Sequence, residues 1–277
     1  GEVTTEAAAE GKQFNIKGSM TISDSTLTSD LKFFVGDEVT SSNTTFRFDR
    51  SFKFGQNVTG PAVATSNTMW SSTGDTVTIT DNKVADTEKD TDVYYFVRGN
   101  AEFSNTRLVL MDNLSIWGNY NNKGGTTISL PAFSADENYP DKFIPLEIGG
   151  TASGETQVTL VQKSGDFTTE GQPVEGHNYI NAQSSSDDVF KLANQNAKAG
   201  GYYFKKLTDA RAESVKRGYD MWQVAKDPTP ETYGVLYEFK YGTRGASPSK
   251  EITDMLPSDS GTYALGATVT AILPEKT

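Results

Sequence analysis

Apolar residues recur at every second position along most of the chain, in short bursts separated by polar turn-forming residues. Typical bursts are Phe46 with Phe48 and Val77 with Ile79, and Thr73-Gly74-Asp75 is a typical separating turn. The other bursts are Phe14 and Ile16, Met20 and Ile22, Phe52 and Phe54, Val93 with Tyr95 and Val97, Leu108 and Leu110, Ile128 and Leu130, and Val158 and Leu160. A period of two is that of a strand with one buried face, whereas a helix repeats every 3.6 residues. The pattern therefore predicts an all-β protein of many short strands.

Two architectures fit a chain of this kind. One is a sandwich or an up-and-down barrel. The other is a parallel β-solenoid, in which each coil of about 20 to 30 residues stacks on the next. The strands are rich in Thr and Val and often follow a Gly-Asp-Thr or Gly-Thr-Thr entry, which favours a solenoid with irregular coils. Helical turns are expected only within Asp187 to Ala199 and in Thr208 to Lys216, where Ala, Arg and Glu dominate.

Composition and charge exclude several classes of function. The 277 residues include no cysteine, which excludes disulfides, thiol catalysis and cysteine-ligated zinc. A net charge of -11 and a pI of 4.7, without a basic block, argue against nucleic acid or an anionic membrane surface as partner. No apolar run approaches the roughly 20 residues that span a bilayer, so membrane insertion is not expected. The aromatic fraction of 11% indicates a folded chain despite a mean hydropathy of -0.50.

A series of motifs between 149 and 228 is the most specific signal. It begins at 149–161 with Gly-Gly-Thr-Ala-Ser-Gly-Glu-Thr-Gln-Val-Thr-Leu-Val and ends at 219–224 with Tyr-Asp-Met-Trp-Gln-Val. Between them lie, in order, Gly171-Gln172-Pro173-Val174, Tyr179-Ile180-Asn181, Asp188-Val189-Phe190-Lys191-Leu192-Ala193, and Ala199-Gly200-Gly201-Tyr202-Tyr203-Phe204-Lys205-Lys206-Leu207. This order resembles the C-terminal stem of autotransporter-type, pertactin-like right-handed β-helices. The resemblance implies a right-handed parallel β-helix on a cell-surface protein.

The same residues favour a capped solenoid on physical grounds. Phe190 and Leu192 alternate with Lys191, and Trp222 alternates with Gln223, so the apolar side chains can point into one core. A solenoid must cover its last coil, because that coil would otherwise expose apolar area and an unpaired strand edge. Trp222 is therefore predicted to cap the core.

A second module is predicted after Asp227-Pro228-Thr229-Pro230, because two prolines so close together resist both helix and central strand. The residues that follow include Tyr237, Phe239, Leu256-Pro257, Tyr263, Gly266 and Val269. They resemble the first half of the β-grasp-like repeats of Gram-positive surface adhesins, of the streptococcal tandem, internalin and mucin-binding types. The resemblance implies a stalk module and a chain that is a fragment of a longer protein. It favours a Gram-positive, wall-attached protein over a Gram-negative autotransporter.

The predicted fold is all-β, a right-handed parallel β-helix followed by a small C-terminal β-rich module. Residues 1–12 are expected to be a disordered or tag-proximal start, and 13–148 irregular β-helix coils. Residues 149–228 are expected to form the β-helix stem and cap, and 233–277 a partial adhesin repeat.

Candidate catalytic chemistry is sparse. His177 is the one histidine of the chain and no Gly-x-Ser-x-Gly elbow accompanies it, so no catalytic residue is assigned. The acidic stretch with Asp86, Asp90 and Asp92 could bind Ca²⁺, because hard cations take several oxygen ligands, although it lacks EF-hand spacing. Together with Arg98 these carboxylates are the cluster that would suit a polysaccharide-degrading enzyme, and a solvated loop is the alternative.

Three aromatic residues, Trp70, Trp117 and Tyr120, lie in Asn- and Ser-rich surroundings. An aromatic face in such a setting could stack on a sugar ring and bind a glycan. A place in the solenoid core or a role as a turn anchor explains the same residues. Sequence leaves both interpretations open.

These observations predict a non-enzymatic, monomeric segment of an extracellular bacterial adhesin, attached to the cell wall in the full-length protein. A β-helix would present a long lateral face to a host glycan or a host surface protein, with many weak contacts at once. The alternative is a polysaccharide-degrading β-helix, a lyase or hydrolase, which needs a groove with at least two carboxylates and a basic residue. No cofactor is expected apart from the Ca²⁺ considered above.

Overall fold

The structure is a computed structural model that describes residues 2–5, 13–58, 67–80, 95–132, 144–163, 166–171, 173–193, 201–208 and 220–226. The regular elements of these residues are all β-strands, and no helix occurs among them. The strands are β1 (Glu2–Thr5), β2 (Gln13–Ile16), β3 (Met20–Ser23), β4 (Thr26–Ser29), β5 (Lys32–Val35), β6 (Val39–Ser42), β7 (Thr45–Phe48), β8 (Phe52–Phe54), β9 (Thr68–Thr73), β10 (Thr76–Ile79), β11 (Tyr95–Val97), β12 (Asn100–Ser104), β13 (Arg107–Leu110), β14 (Leu114–Ile116), β15 (Tyr120–Gly124), β16 (Thr127–Pro131), β17 (Leu146–Ser153), β18 (Thr156–Val161), β19 (Asn178–Ser185), β20 (Phe190–Leu192), β21 (Tyr202–Thr208) and β22 (Asp220–Lys226).

The strands stack in three columns, and the chain visits the columns in turn. Column 1 is β1-β4-β7-β10-β13-β16-β18-β20. Column 2 is β2-β5-β8-β11-β14, and column 3 is β3-β6-β9-β12-β15. The long strand β17 joins the two, because Leu146–Ile148 pairs with β14 while Ala152–Ser153 pairs with β15. Since consecutive strands lie in different columns and the neighbours within each column are parallel, the fold is a parallel β-helix.

Each coil aligns the inward side chains of one strand with those of the strand above. Leu27 pairs with Phe46, and Leu108 pairs with Ile128. Phe46 pairs with Val77, from which it is separated by a longer stretch of chain. Coils of different lengths therefore stack on one another, as the irregular spacing of the sequence predicts.

Aromatic rings form a continuous series of contacts that starts at the exposed Phe14 and runs through the core to Trp222. Ring centroids lie 5.1 Å apart for Phe14–Phe33, 5.7 Å for Phe33–Phe48, 4.8 Å for Phe48–Phe52, 5.8 Å for Phe52–Trp70, 5.0 Å for Trp70–Phe103, 5.5 Å for Phe103–Tyr120, 5.8 Å for Tyr120–Phe190 and 5.3 Å for Phe190–Trp222. Such rings contribute large buried areas and prefer the tilted and edge-on geometries that predominate here. One apolar core thus runs from the first coil to the last.

Trp222 lies at the end of this series, on a strand that breaks the parallel order. β22 pairs antiparallel with β19, opposite Ile180. The Trp222 ring is 1% exposed and its Nε1 donates to the Ser185 hydroxyl at 3.2 Å. Asp220 holds the same strand, because its carboxylate accepts hydrogen bonds from the Ser185 amide at 2.6 Å and from Thr208 at 2.9 Å. Trp222 thus lies buried at the end of the aromatic series, at the position for which the sequence predicts a cap.

The expected helical turns are not found in the described part of those stretches. Residues 187–193 form a turn and the strand β20, and Thr208 ends β21. The reason is that Phe190 and Leu192 are both buried on the core side, and alternation of this kind suits a strand better than a helix. The rest of both stretches lies outside the described residues.

Two strands lie across the expected segments. Glu2–Thr5, in the stretch expected to be a disordered or tag-proximal start, forms β1 and pairs with β4 in column 1. The division between 148 and 149 falls inside β17, where coil stacking continues. Residues up to 193 and the described residues 204–225 form one compact unit, and residues 201–203 and 226 belong to a second. The predicted module at 233–277 lies outside the described residues.

Candidate functional site

The corner between columns 3 and 1, named the 3–1 corner, repeats the same backbone conformation in six coils. Its residues have φ between 48° and 84° and are Asp24, Asn43, Gly74, Asn105, Gly125 and Gly154. This left-handed region favours Gly and tolerates Asn and Asp, whose short side chains bond locally. All six are exposed. The corner is therefore a regular polar ridge set by backbone geometry.

Polar side chains are buried directly beneath this ridge. Asp75, only 1% exposed, accepts hydrogen bonds from the Thr44 amide at 2.8 Å and from the hydroxyls of Ser41 at 2.5 Å and Ser72 at 2.6 Å. Ser72 also lies 2.9 Å from the Thr106 hydroxyl of the next coil. These contacts join three successive coils. They also give the buried polar groups the hydrogen-bond partners that offset the loss of water.

A β-bulge opens the ridge at β15. Phe103 pairs with Asn122, but Ser104 pairs with Gly124, so Lys123 is an extra residue. Gly124 and Gly125 both have positive φ, at 132° and 69°. The bulge leaves an open depression of about 440 Å³, lined by residues 122–127 together with Glu155 and Gln157. Its volume is in the range of small-molecule sites.

A hydrogen-bonded network fixes the floor of the depression. The Asn122 amide donates to the Thr156 hydroxyl at 3.0 Å and to the Glu155 carbonyl at 2.6 Å. The Tyr120 hydroxyl lies 2.9 Å from the same Thr156 oxygen. Burial raises the pKa of Tyr120 far above its usual value, and the hydroxyl therefore stays protonated. The floor is pre-formed, which lowers the entropic cost of binding a ligand there.

Opposite charges are paired on the rim. Lys191 Nζ lies 2.8 Å from Glu155 Oε2, and Lys123 Nζ lies 3.5 Å from Glu102. The hydrogen bond from Lys191 is the main cause that lowers the pKa of Glu155, and the same bond raises the pKa of Lys191. Gln157 donates to Glu155 at 3.2 Å. The rim is thus polar and locally neutral.

The depression is equipped for hydrogen bonding rather than for acid-base chemistry. Among the residues that line it, Glu155 is the single carboxylate, and it is already engaged by Lys191. Glycoside hydrolysis commonly uses two carboxylates on either side of the scissile bond. Lys123, Thr127 and Gln157 instead supply donors and acceptors of the kind that sugar hydroxyls or peptide groups match.

Two of the three aromatic candidates from the sequence lie in the core. Trp70 and Tyr120 are both 0% exposed, and each packs against Phe103. Their rings are not accessible to a sugar, because inward strand positions face the core. Tyr120 nevertheless supports the depression from below through Thr156.

Trp117 lies at a different corner, between columns 2 and 3. It is half-buried, and the Arg98 guanidinium stacks over its ring at 4.8 Å. Phe96 contacts the ring edge-on at 5.9 Å. Arg98 also donates to the carbonyls of Gln56 and Val58, so the pair anchors a corner of the coil. This placement matches the turn-anchor interpretation.

The acidic candidates Asp86, Asp90 and Asp92 lie outside the described residues. Within the described ranges, no three His, Asp or Glu side chains come together in a group that could hold a metal ion. His177 is half-buried and packs edge-on against Tyr179. In the part of the chain that the structure describes, no helix has the length and apolar character needed to cross a membrane.

The sequence patterns do not reveal the depression. The run 119–125 is rich in turn-forming residues, and nothing in it indicates the strand β15 or its bulge. A usable signal exists: an Asn or Gly precedes a Thr or Asp at four corners, namely Asn43-Thr44, Gly74-Asp75, Asn105-Thr106 and Gly125-Thr126. The paired inward residues Trp70 and Ala101 lie four positions before their corner residue, whereas Tyr120 lies five positions before Gly125, so β15 carries one extra residue.

In comparisons with known proteins, no family model, no curated protein and no solved structure matches the chain.

Proposed function

We propose that this chain is a non-enzymatic binding segment of an extracellular bacterial adhesin, attached to the cell wall in the full-length protein. Its β-helix presents the depression at 122–127 and the adjoining ridge to a host glycan or host surface protein. The observation that carries the proposal is a pre-formed polar depression whose floor is fixed by Asn122, Thr156 and Tyr120.

The strands on both sides of the ridge support a binding role. On column 1, the exposed or half-exposed residues Thr26, Thr45 and Thr76 align in register. On column 3, Ser23, Ser42 and Thr73 align in the same way. Parallel strands repeat about every 4.8 Å, so equivalent hydroxyls follow one another at that spacing. A ligand that spans several coils can make many weak contacts at once.

The polysaccharide-degrading alternative has less support. The single carboxylate of the depression is ion-paired, and the pairing lowers its pKa, which opposes the protonated state that a general acid needs.

The surface location of the protein is supported by the resemblance of 149–228 to autotransporter stems and of 233–277 to adhesin repeats.

A binding and turnover screen tests the proposal. The purified full chain is applied to an array of host glycans, mucins and cell-surface proteins, and the same glycans are then assayed for new reducing ends and for unsaturated products. We expect retention on at least one class of ligand without turnover. Turnover of any glycan, or no retention on any ligand, would contradict the proposal.

A further inference from the structure

We propose that the depression binds an uncharged glycan. This inference rests on the proposed binding function and narrows it to one class of ligand. It follows from the charge distribution along the 3–1 corner and from the side chains that continue the depression along the ridge.

The basic groups beside the corner have acidic neighbours. Arg47 Nε lies 3.0 Å from Asp49 Oδ1. The pairs of Lys123 with Glu102 and of Lys191 with Glu155 have been described above. The fourth basic group is Arg107, and its acidic neighbour is Asp166. Hydrogen bonds from Thr168 are the main cause that lowers the pKa of Asp166, and the positive charge of Arg107 lowers it further. These four are the cations at the outward strand positions of columns 1 and 3 among the described residues.

Local compensation of this kind disfavours a charged polymer. A polyanion gains affinity from groups that neutralise its charge and release its counterions. Here three of the four cations, Arg47, Lys123 and Lys191, are ion-paired with a carboxylate, and the chain as a whole carries a net charge of -11. A sulfated or uronic-acid polymer would meet repulsion at long range and competition at short range. An uncharged ligand meets neither.

Hydroxyl and amide groups lead along the ridge into the depression. One ladder of column 1 runs in register through Thr26, Thr45, Thr76, Arg107, Thr127 and Gln157. Its last two residues line the depression. Thr hydroxyls both donate and accept hydrogen bonds, and Gln offers two donors and an acceptor, which matches the mixed character of sugar hydroxyls.

The lining also shows how such a ligand would be held. No aromatic ring is among the residues that line the depression, so hydrogen bonds rather than ring stacking would carry the contact. A Cβ on Gly124 would meet nothing within 4 Å, which shows that the floor is open to solvent at that point. A sugar ring can therefore approach the backbone of the bulge directly.

A pair of variants at outward strand positions tests the inference. Thr127→Trp fills the depression, and Asn15→Trp places the same side chain at an exposed position on β2, in column 2 and outside the ridge, as the matched control. Both sites are outward positions on a strand, where Trp is well tolerated. Thr127→Ala, which removes one hydroxyl without adding bulk, is the second variant. Circular dichroism confirms that each variant is folded.

The full chain and its variants are titrated by biolayer interferometry against immobilised neutral host-type glycans, namely poly-N-acetyllactosamine and a neutral blood-group oligosaccharide, against hyaluronate and heparin, and against a host surface protein stripped of its glycans, at 0.05 M and 0.5 M NaCl. We expect binding to a neutral glycan that changes less than about twofold with salt. Thr127→Trp should weaken it at least tenfold and Thr127→Ala measurably, while Asn15→Trp stays within twofold.

Three results would overturn the inference while leaving the binding function intact: retention only on the acidic polymers with a steep loss at high salt, retention only on the protein ligand, or equal binding by Thr127→Trp and Asn15→Trp. Loss of all binding by the unmodified chain would instead contradict the proposed function itself.

Discussion

The buried carboxylate of Asp75 is expected to stabilise the β-helix by joining successive coils. It accepts three hydrogen bonds, one from the Thr44 amide and two from hydroxyl groups. The Thr44 amide belongs to the backbone and cannot rotate toward another acceptor, as a hydroxyl group can. Asp75→Ala leaves that buried amide without an acceptor, at a cost of about 1–3 kcal/mol. The Ser41 and Ser72 hydroxyls can turn to other acceptors, since Ser41 lies 3.4 Å from the Ser71 carbonyl and Ser72 contacts Thr106. The loss of their bonds to Asp75 therefore adds only about 1 kcal/mol to the cost of the substitution.

The net loss expected for Asp75→Ala is therefore about 2–4 kcal/mol in the free energy of unfolding. Urea unfolding followed by tryptophan fluorescence measures it, and Trp70 is a local reporter because its Nε1 lies 3.4 Å from the Ser41 hydroxyl. Asp75→Asn is the matched control. It keeps an oxygen for Thr44, and its amide can donate to the two hydroxyls, so it should cost less than about 1.5 kcal/mol. A stability of Asp75→Ala within about 0.5 kcal/mol of the unmodified chain would refute this reasoning.

Three further predictions concern the corner, the cap and the rim. Gly154→Ala should destabilise the fold by more than about 2 kcal/mol, because φ is 84° and the new Cβ would overlap the Asn122 carbonyl. Gly176→Ala should cost only about 1 kcal/mol, because φ is 78° but the space around the new Cβ is open. The midpoints of urea unfolding measure both losses. Asp220→Ala should lower the urea unfolding midpoint, because the carboxylate holds the strand that carries Trp222. It should also increase amide hydrogen exchange in β19 and β22 before other strands. Uniform exchange across all columns would speak against that role. The Glu155–Lys191 pair should contribute in full between about pH 5 and pH 10. Its lowered Glu155 pKa means that the contribution is lost as pH falls through that pKa, and its raised Lys191 pKa means that it is lost as pH rises through that one. A Lys191→Met variant should therefore differ from the unmodified chain at pH 7, and the difference in stability should shrink as pH falls through the Glu155 pKa; it is small throughout because both side chains are exposed.

The 3–1 corner explains how an irregular sequence produces regular coils. Coil lengths differ, because the stretch from Leu27 to its partner Phe46 is shorter than the stretch from Phe46 to its partner Val77. The six coils nevertheless return to the same left-handed corner. Extra residues are inserted elsewhere in the coil, where they leave the stacking of inward side chains unchanged. Loops tolerate such insertions far better than strands do.

The position of the depression on this corner follows from the same regularity. The depression lies where one coil departs from the pattern, and here the departure is the single extra residue Lys123. A β-bulge redirects side chains and disrupts the ladder only locally. The Asn122 and Thr156 contacts below the bulge keep the departure local.

Sequence alone determined many of the strands and their inward faces, although the alternation did not identify β4, β5, β6, β9, β12, β14 or β15. Where one face is apolar, as for Phe46 with Phe48 and for Phe190 with Leu192, the strand period of two fixes which side chains are buried. The sequence also predicted a cap at Trp222. The pattern could not separate core from surface for aromatic residues in polar surroundings, so Trp70 and Tyr120 remained candidates for sugar stacking until the structure placed them in the core.

Only the tertiary structure decided what lies next to what across coils. Asp75 meets Thr44 and Ser41 from an earlier coil, and Lys191 meets Glu155 from the coil before its own. These separations along the chain depend on how many residues each coil contains, and local periodicity carries no information about that number. The stacking of backbone hydrogen bonds between coils sets the register, and the register brings together the ridge, its buried carboxylate and the depression at the bulge.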